Sequence, residues 1–177
     1  MQKHSKKKKK IGILGGTFDP AHKGHLEISK KAKQKYKLNY IIWAITKKNP
    51  FKKKSKTKLI TRIKRAKKIV GVNKFIKIRF FEDKIKSNKT IDLINYMKKK
   101  NKKLNIYFIM GADNLIQFHK WHNWKLISKK CNILVFDRQG YKAKSLKSIT
   151  YKRLKQKNLD FVKFKKVNIS SSKLRKI

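Results

Sequence analysis

The sequence predicts an α/β fold in which a parallel sheet is covered by helices on both faces. Short apolar runs rich in Ile, Val and Phe alternate along the chain with longer Lys-rich segments of helical spacing. Strands that alternate with helices form βαβ units, and such units build a parallel sheet. The chain has 177 residues, of which 39% are hydrophobic. That content suits one folded domain better than a disordered chain.

Six apolar runs are predicted as strands, because each is short and rich in β-branched and aromatic residues. In chain order they are Ile11–Leu14, Tyr40–Thr46, Phe75–Phe81, Leu104–Met110, Asn132–Phe136 and Phe161–Val167. Ligands of such sheets bind beyond the carboxyl ends of the strands. We therefore expect the loops that follow most of these strands to line one cleft.

The segments between the strands carry apolar residues at helical spacing and are predicted as helices. In chain order they are Gly24–Lys35, Leu59–Val70, Ile91–Lys100, Asn114–Phe118, Lys125–Lys130 and Ser148–Lys157. Residues 1–10 are predicted to be a basic N-terminal tail, and residues 11–177 to form a single domain.

The charge balance is extreme, with 53 Lys and Arg against 8 Asp and Glu and a net charge of +45. A uniformly basic surface attracts any polyanion, including nucleic acid. The basic residues are scattered almost evenly, however, and no RNA-binding fingerprint or zinc-finger spacing gathers them. We expect non-specific attraction to nucleic acid rather than a dedicated nucleic-acid-binding protein.

The sequence predicts a cytoplasmic protein that does not enter the membrane. No apolar run approaches the ~20 residues that span a bilayer. The run that follows Lys6–Lys10 is too short for a secretion signal. The single cysteine, Cys131, excludes an intramolecular disulfide and fits a reducing compartment.

The densest chemical signal is the string GGTFDPAHKGH, residues 15–25, directly after the first strand. It is neither the dinucleotide fingerprint nor the P-loop. Its paired glycines let backbone N–H groups approach a ligand, and a helix that begins near its last glycine offers a positive end to an anion. His22 and His25 are three positions apart, so both imidazoles face one side of a helical first turn. The string predicts a phosphate-binding site.

Two other interpretations of this string are open. One is a tight turn that carries two surface histidines. The other is a metal site, because His119 and His122 repeat the same spacing. No cysteine or carboxylate pattern completes a zinc set, so no metal site in the protein is predicted.

The same string closely resembles the T/H-x-G-H signature of nucleotidylyltransferases, in the form found in bacterial nicotinate-nucleotide adenylyltransferases. The resemblance implies a Rossmann-like sheet of the nucleotidylyltransferase type. It also implies an enzyme that transfers AMP from ATP to nicotinate mononucleotide, giving nicotinate adenine dinucleotide and pyrophosphate in NAD biosynthesis. His22 and His25 would be catalytic. The implied ATP-binding residues of this motif are Gly15, Gly16, Thr17, Phe18, His22 and His25.

The end of the chain resembles a second motif of the same family, I-S-S-T-x-I-R. Residues 168–175 read NISSSKLR, with serine and leucine in place of threonine and isoleucine. A serine cluster after a strand caps a helix, and hydroxyls with an arginine clamp phosphate. The resemblance implies that Ser170, Ser171 and Arg175 bind ATP. The family usually continues with more helix, so we expect this short terminal helix to depend on packing.

A third matching segment, GADNLIQFHKW, covers residues 111–121. A carboxylate beside a strand-end glycine is suited to ribose hydroxyls or a backbone turn, and an indole is suited to stacking on a pyridine or purine ring. The resemblance places Asp113 and Trp121 in the nicotinate mononucleotide pocket. Trp124 is predicted to pack in the core.

Three shorter segments complete the resemblance. Thr90 opens TIDL, similar to the family's T-x-D-T-L, which places it at the nicotinate end, although it also suits a helix cap. Lys52 lies where the family has P-x-H-K/R, with Phe51 replacing the histidine. Arg138 lies in a strand-end R-x-G, and its bidentate fork suits phosphate. All three are implied substrate ligands.

The implied reaction needs no general base, because the attacking phosphate is already anionic at neutral pH. Catalysis would consist of positioning and charge stabilisation, with Mg²⁺ bound mainly through the ATP phosphates. Three alternatives stay open. They are a superfamily member with another acceptor, such as a phosphopantetheine or nicotinamide-mononucleotide adenylyltransferase, a non-enzymatic nucleic-acid binder, and an inactive homologue.

Overall fold

The fold is built on a parallel sheet, seen in a computed structural model that describes residues 8–49, 55–164 and residue 174. Its strands are β1 Lys10–Gly16, β2 Tyr40–Ile45, β3 Ile76–Phe80, β4 Asn105–Gly111, β5 Asn132–Phe136 and β6 Leu159–Val162. Their order across the sheet is β3-β2-β1-β4-β5-β6, and every pairing is parallel. The order reverses between β1 and β4, which opens a crevice at their carboxyl ends. The predicted Rossmann-like fold is confirmed.

The helices occupy the segments where helical spacing predicted them, with two additions. They are α1 Lys23–Tyr36, α2 Leu59–Val70, α3 Glu82–Ile85, α4 Thr90–Lys100, α5 Ala112–Gln117, α6 Trp124–Lys130, α7 Lys142–Leu146 and α8 Ile149–Leu154, with a 3₁₀ turn at Phe118–Lys120. The sequence did not predict α3 and α7, because helices this short show too little periodicity to be recognised. None of these helices is long and apolar enough to cross a membrane.

The sheet separates two apolar cores, so helices cover both faces as predicted. One core joins the sheet to α4, α5, α6 and α8, around buried side chains such as Ile13, Phe108 and Leu115. The other joins the opposite face to α1 and α2, around Trp43 and Phe136. The strands therefore lie between two buried layers, as their continuous apolar runs indicated.

The first and the last strand in the chain differ slightly from the prediction. β1 begins at Lys10, inside the predicted basic tail, and the Lys10 N–H donates to Asn39 Oδ1 at 2.8 Å. β6 covers Leu159–Val162, earlier than the predicted Phe161–Val167. Most of the remainder of that prediction lies outside the described residues, as does the loop expected after Val167.

Candidate active site

The glycine-rich loop joins β1 to α1 through a backbone that its own aromatic side chain anchors. Phe18 has a positive φ of 48° and is only 2% exposed. Its ring stacks on Trp43 at 5.0 Å and lies 4.8 Å from the ring of His25. The Phe18 side chain therefore supports the loop from below. Because this side chain is buried in packing, a contact of Phe18 with ATP, as the resemblance implies, would come from its backbone.

The two motif histidines lie together at the first turn of α1. Their ring centroids are 3.8 Å apart. The His22 backbone N–H donates to Nδ1 of His25 at 3.2 Å, and the His25 backbone N–H donates to the His22 carbonyl at 3.0 Å. Because Nδ1 of His25 accepts a hydrogen bond, the neutral ring carries its proton on Nε2. His25 thus holds the helix start with one nitrogen and carries its donor on the other.

His22 is electrically neutral at physiological pH. Burial, together with the nearby positive charge of Arg138, lowers the pKa of His22 from 6.5 to about 4. Its buried Nδ1 has no hydrogen-bond partner among the described residues. A polyphosphate beside this ring would favour the protonated form and so oppose both causes of the low pKa. His22 is therefore suited to gain hydrogen bonds, and a proton, when an anion binds.

The low pKa of His22 predicts how stability depends on pH. As the pH falls below about 6.5, the unfolded chain protonates this imidazole, whereas the folded chain does not until about pH 4. Its contribution to the free energy of unfolding is therefore complete above pH 6.5 and is lost between there and pH 4. Urea unfolding followed by circular dichroism should show a midpoint that falls more steeply with acid in the wild type than in His22→Asn. Parallel pH profiles would contradict the shifted pKa.

Asp113 and Arg138 form an ion pair across the ends of β4 and β5. The Asp113 carboxylate is only 12% exposed, and the Arg138 guanidinium also lies 5.5 Å from the ring centroid of Tyr141. A Cβ atom at Gly111 would lie 2.6 Å from an Asp113 carboxylate oxygen, so a larger residue there would force this carboxylate to shift. The sequence predicted both charged residues as substrate ligands. In the structure they bind each other, and neither lines the cavity described next.

A cavity of about 360 Å³ opens at the carboxyl ends of β1 and β2. It combines an apolar floor with a polar rim, as small-molecule sites do. Thr90 and Trp121, both predicted as substrate-binding residues, line it together. The Trp121 ring is held edge-on by Phe108 at 5.9 Å and Phe118 at 5.2 Å. The full lining is Gly15, Gly16, Ala44, Ile45, Thr46, Lys48, Asn49, Phe81, Glu82, Ile85, Ser87, Asn88, Lys89, Thr90, Leu93, Phe108, Asn114, Lys120, Trp121, His122 and Ile127.

The rim of the cavity favours anions. Lys48, Lys89 and Lys120 lie along it, against one carboxylate, that of Glu82. α4 begins in the cavity wall at Thr90. The side chain of its N-cap residue, Lys89, makes no capping hydrogen bond, whereas Ser87 Oγ accepts from the Lys89 N–H at 3.1 Å. The Asp92 N–H donates to the Lys89 carbonyl, and the Asp92 carboxylate already lies in this first turn. α4 therefore offers an anion the Thr90 and Ile91 N–H groups rather than a free dipole end.

Sequence reasoning missed Arg62, a buried residue of α2 that contacts the loops on both sides of the site. Its guanidinium donates to four backbone carbonyls, those of Thr17, Thr46, Lys47 and Thr57. In the sequence it resembles any other cation of a Lys-rich helix. A signal was present, because Arg62, Ala66 and Val70 share one face at a spacing of four and all are buried.

Four predicted ligands, Lys52, Ser170, Ser171 and Arg175, lie outside the described residues. The alternative of a metal site is also testable only within the described part. There, no three His, Cys, Asp or Glu side chains come close enough to hold an ion together.

Comparison with known proteins identifies the family. The cytidylyltransferase-like family matches residues 13–177. A relative from Pelagibacter ubique (strain HTCC1062) named probable nicotinate-nucleotide adenylyltransferase is 71% identical over 98% of this chain and 96% of its own. A relative of the same name from Bradyrhizobium sp. (strain ORS 278) is 36% identical over 73% of this chain and 67% of its own.

A solved structure shares the fold. It is the Plasmodium falciparum nicotinic acid mononucleotide adenylyltransferase complexed with NaAD, with a TM-score of 0.76 and 22% identity over 95% of this chain and 83% of that one. Sequence matches of this extent, together with the shared fold, establish membership. The chain belongs to the cytidylyltransferase-like family and, within it, to the nicotinate-nucleotide adenylyltransferases.

Proposed function

We propose that this chain transfers AMP from ATP to nicotinate mononucleotide, forming nicotinate adenine dinucleotide and pyrophosphate in the cytoplasm. One observation carries the proposal. Gly15 and Gly16 of the histidine-bearing motif also line the cavity that holds Thr90 and Trp121. A nucleotide at the motif and a mononucleotide in the cavity would therefore meet at a shared wall, which is what transfer between them requires.

In the proposed reaction, a phosphate oxygen of nicotinate mononucleotide attacks the α-phosphorus of ATP in line. The bond from that phosphorus to the bridging oxygen breaks, and pyrophosphate leaves with the electron pair. The Nε2–H of His25 and the ring of His22 stabilise the charge that develops on the phosphates, as does the amino end of α1. No proton has to be removed from the nucleophile.

This site suits a magnesium ion that is bound mainly by the ATP phosphates. The motif offers two imidazoles and backbone N–H groups, and magnesium that keeps its waters and phosphate ligands needs few protein ligands. Bound in that way, it supplies neutralisation of phosphate charge. The residues of this chain supply the orientation.

The other predicted site residues are assigned to parts of the two substrates. Thr17 and the glycines before it are assigned to ATP through their backbone. Ser170, Ser171 and Arg175 are assigned to its β and γ phosphates. Lys52 and Arg138 are assigned to phosphate, and Asp113 to the substrate side through its ion pair with Arg138.

The cavity predicts a preference for the acidic mononucleotide over its amide. The lysine rim and the Thr90 and Ile91 N–H groups at the start of α4 favour a carboxylate on the pyridine ring. An interaction of roughly 1.4 kcal/mol corresponds to a tenfold preference. Pyrophosphate release with ATP and Mg²⁺ should be at least about tenfold more efficient, as kcat/KM, with nicotinate than with nicotinamide mononucleotide. Equal efficiency would contradict this assignment, and release with neither would contradict the proposed function.

We also propose non-specific attraction to nucleic acid outside the active site. The net charge is +45, and several of the eight carboxylates are already paired with cations of the protein itself. Ion pairs join Glu27 to Lys30, Asp83 to Lys47, Asp113 to Arg138 and Asp160 to Lys35. The affinity for a labelled single-stranded RNA, measured by anisotropy, should fall by more than about tenfold between roughly 50 and 200 mM salt. An affinity that does not change with salt would contradict this origin.

A further inference from the structure

We propose that Arg62 is a positioning residue. It fixes the glycine-rich loop between β1 and α1 (the motif loop) against the wall of the cavity assigned to nicotinate mononucleotide (the acceptor cavity), so that the two substrates meet in reactive alignment. The inference rests on the proposed function, because it concerns the alignment of its two substrates. Arg62 itself is 2% exposed and lies beneath the site. It acts on substrates only through the backbone that it holds.

The guanidinium of Arg62 binds two loops that are distant in sequence. Nη1 donates to the Thr17 carbonyl at 2.5 Å and to the Thr46 carbonyl at 2.7 Å, and Nη2 donates to the Lys47 carbonyl at 3.3 Å. Thr17 belongs to the histidine-bearing motif. Thr46 and Lys47 follow β2, and Thr46 lines the cavity. One side chain therefore links the nucleotide side of the site to the acceptor side.

The Arg62 link reaches a third part of the chain. Its Nε donates at 3.1 Å to the carbonyl of Thr57, the residue two positions before α2. The Lys56 N–H donates to Asp19 Oδ2 at 2.9 Å, and the Thr57 N–H donates to the same oxygen at 3.4 Å. Since Asp19 belongs to the motif loop, the segment before α2 is held to that loop by two separate contacts.

The acceptor side of this network is fixed as well. The Lys47 N–H donates to Glu82 Oε1 at 3.1 Å, and the Lys47 ammonium pairs with Asp83 at 2.7 Å. Asp19 and Glu82 both favour the charged form of Arg62, although its burial lowers the pKa of the guanidinium below the usual value. The buried cation is thus balanced by carboxylates on each side of the junction.

Arginine is specifically suited to this junction. A guanidinium offers five donors in a planar fork, whereas an ammonium offers three donors on one atom. Lysine could reach some of the four carbonyls but could not span both loops with the same geometry. A methionine would leave all four carbonyls without this donor, and unpaired buried carbonyls are costly.

The test compares Arg62→Met and Arg62→Lys with Arg65→Met, which removes an exposed arginine from the same helix. Dissociation constants for ATP and for nicotinate mononucleotide are measured separately, and kcat is corrected for the folded fraction seen by circular dichroism. We expect kcat to fall by about 100-fold or more in Arg62→Met, since small misalignments have that effect. Arg62→Lys should recover part of the loss, each dissociation constant should change by less than about threefold, and Arg65→Met should match the wild type.

The outcomes separate this proposal from its alternatives. A purely structural role would lower the melting temperature but leave the corrected kcat unchanged in both Arg62 variants, which would overturn the proposal. A loss confined to the dissociation constants would overturn it too, because it would make Arg62 a binding determinant. If Arg62→Met does not fold, the corrected kcat of Arg62→Lys decides in the same way. An inactive wild type would instead refute the proposed function.

Discussion

Replacing His25 by asparagine is expected to lower kcat by about 100-fold or more, the usual cost of removing one preorganised donor from a charge-stabilising site. The asparagine carbonyl lies near the place of Nδ1 and can accept the His22 N–H that now donates to His25 at 3.2 Å. The start of α1 is therefore preserved. The Nε2 donor is lost together with the ring contacts to His22 and Phe18, so the variant tests the catalytic role of His25 while keeping its hydrogen bond at the helix start.

The measurement for His25 is steady-state pyrophosphate release with both substrates saturating, beside circular dichroism of the same samples. Lys31→Ala is the matched control, since Lys31 is an exposed residue of the same helix. We expect the control to retain wild-type kcat and both variants to retain wild-type helicity. A wild-type kcat in folded His25→Asn would remove His25 from the mechanism.

Replacing Trp121 by alanine is expected to raise the KM for nicotinate mononucleotide by roughly 5- to 160-fold, from the roughly 1–3 kcal/mol typical of base–aromatic stacking. Trp121 lines the cavity, and Phe108 and Phe118 hold its ring edge-on. The indole is thus preoriented, with little conformational entropy left to lose on binding. The KM for ATP should change little, because the motif histidines do not line the cavity that Trp121 lines.

Two further variants sharpen the test of Trp121. Trp121→Phe keeps a stacking face and should lose much less affinity than alanine. Trp124→Phe is the control, since Trp124 packs against Phe118 at 6.1 Å and does not line the cavity. If Trp121→Ala raised both KM values equally, its effect would be on folding rather than on the acceptor.

The fold could be predicted because the sheet is buried on both faces. Such strands read as continuous apolar runs, and Asn132–Phe136 was predicted with the same bounds that β5 shows. α2 was likewise predicted at Leu59–Val70, since its apolar face repeats over three turns. The four residues of α3 complete barely one turn, which is too little for a period to show.

The site residues that line the cavity could be predicted from the sequence. Residues that bind other residues of the protein were harder to predict. Thr90 and Trp121 were both placed by resemblance, and both line the cavity. Asp113 and Arg138 come from strand ends far apart in sequence, and no local pattern showed that they would pair. Arg62 was missed for the same reason, because its partners are carbonyls of loops that only the folded chain brings together.

The most direct test of the proposed reaction is a product analysis of the full chain with ATP, Mg²⁺ and nicotinate mononucleotide. We expect pyrophosphate and nicotinate adenine dinucleotide to form in equal amounts, and neither to form when the mononucleotide is left out. Release of pyrophosphate without the dinucleotide, or of neither product, would contradict the claim that the histidine motif and the cavity form one adenylyl-transfer site.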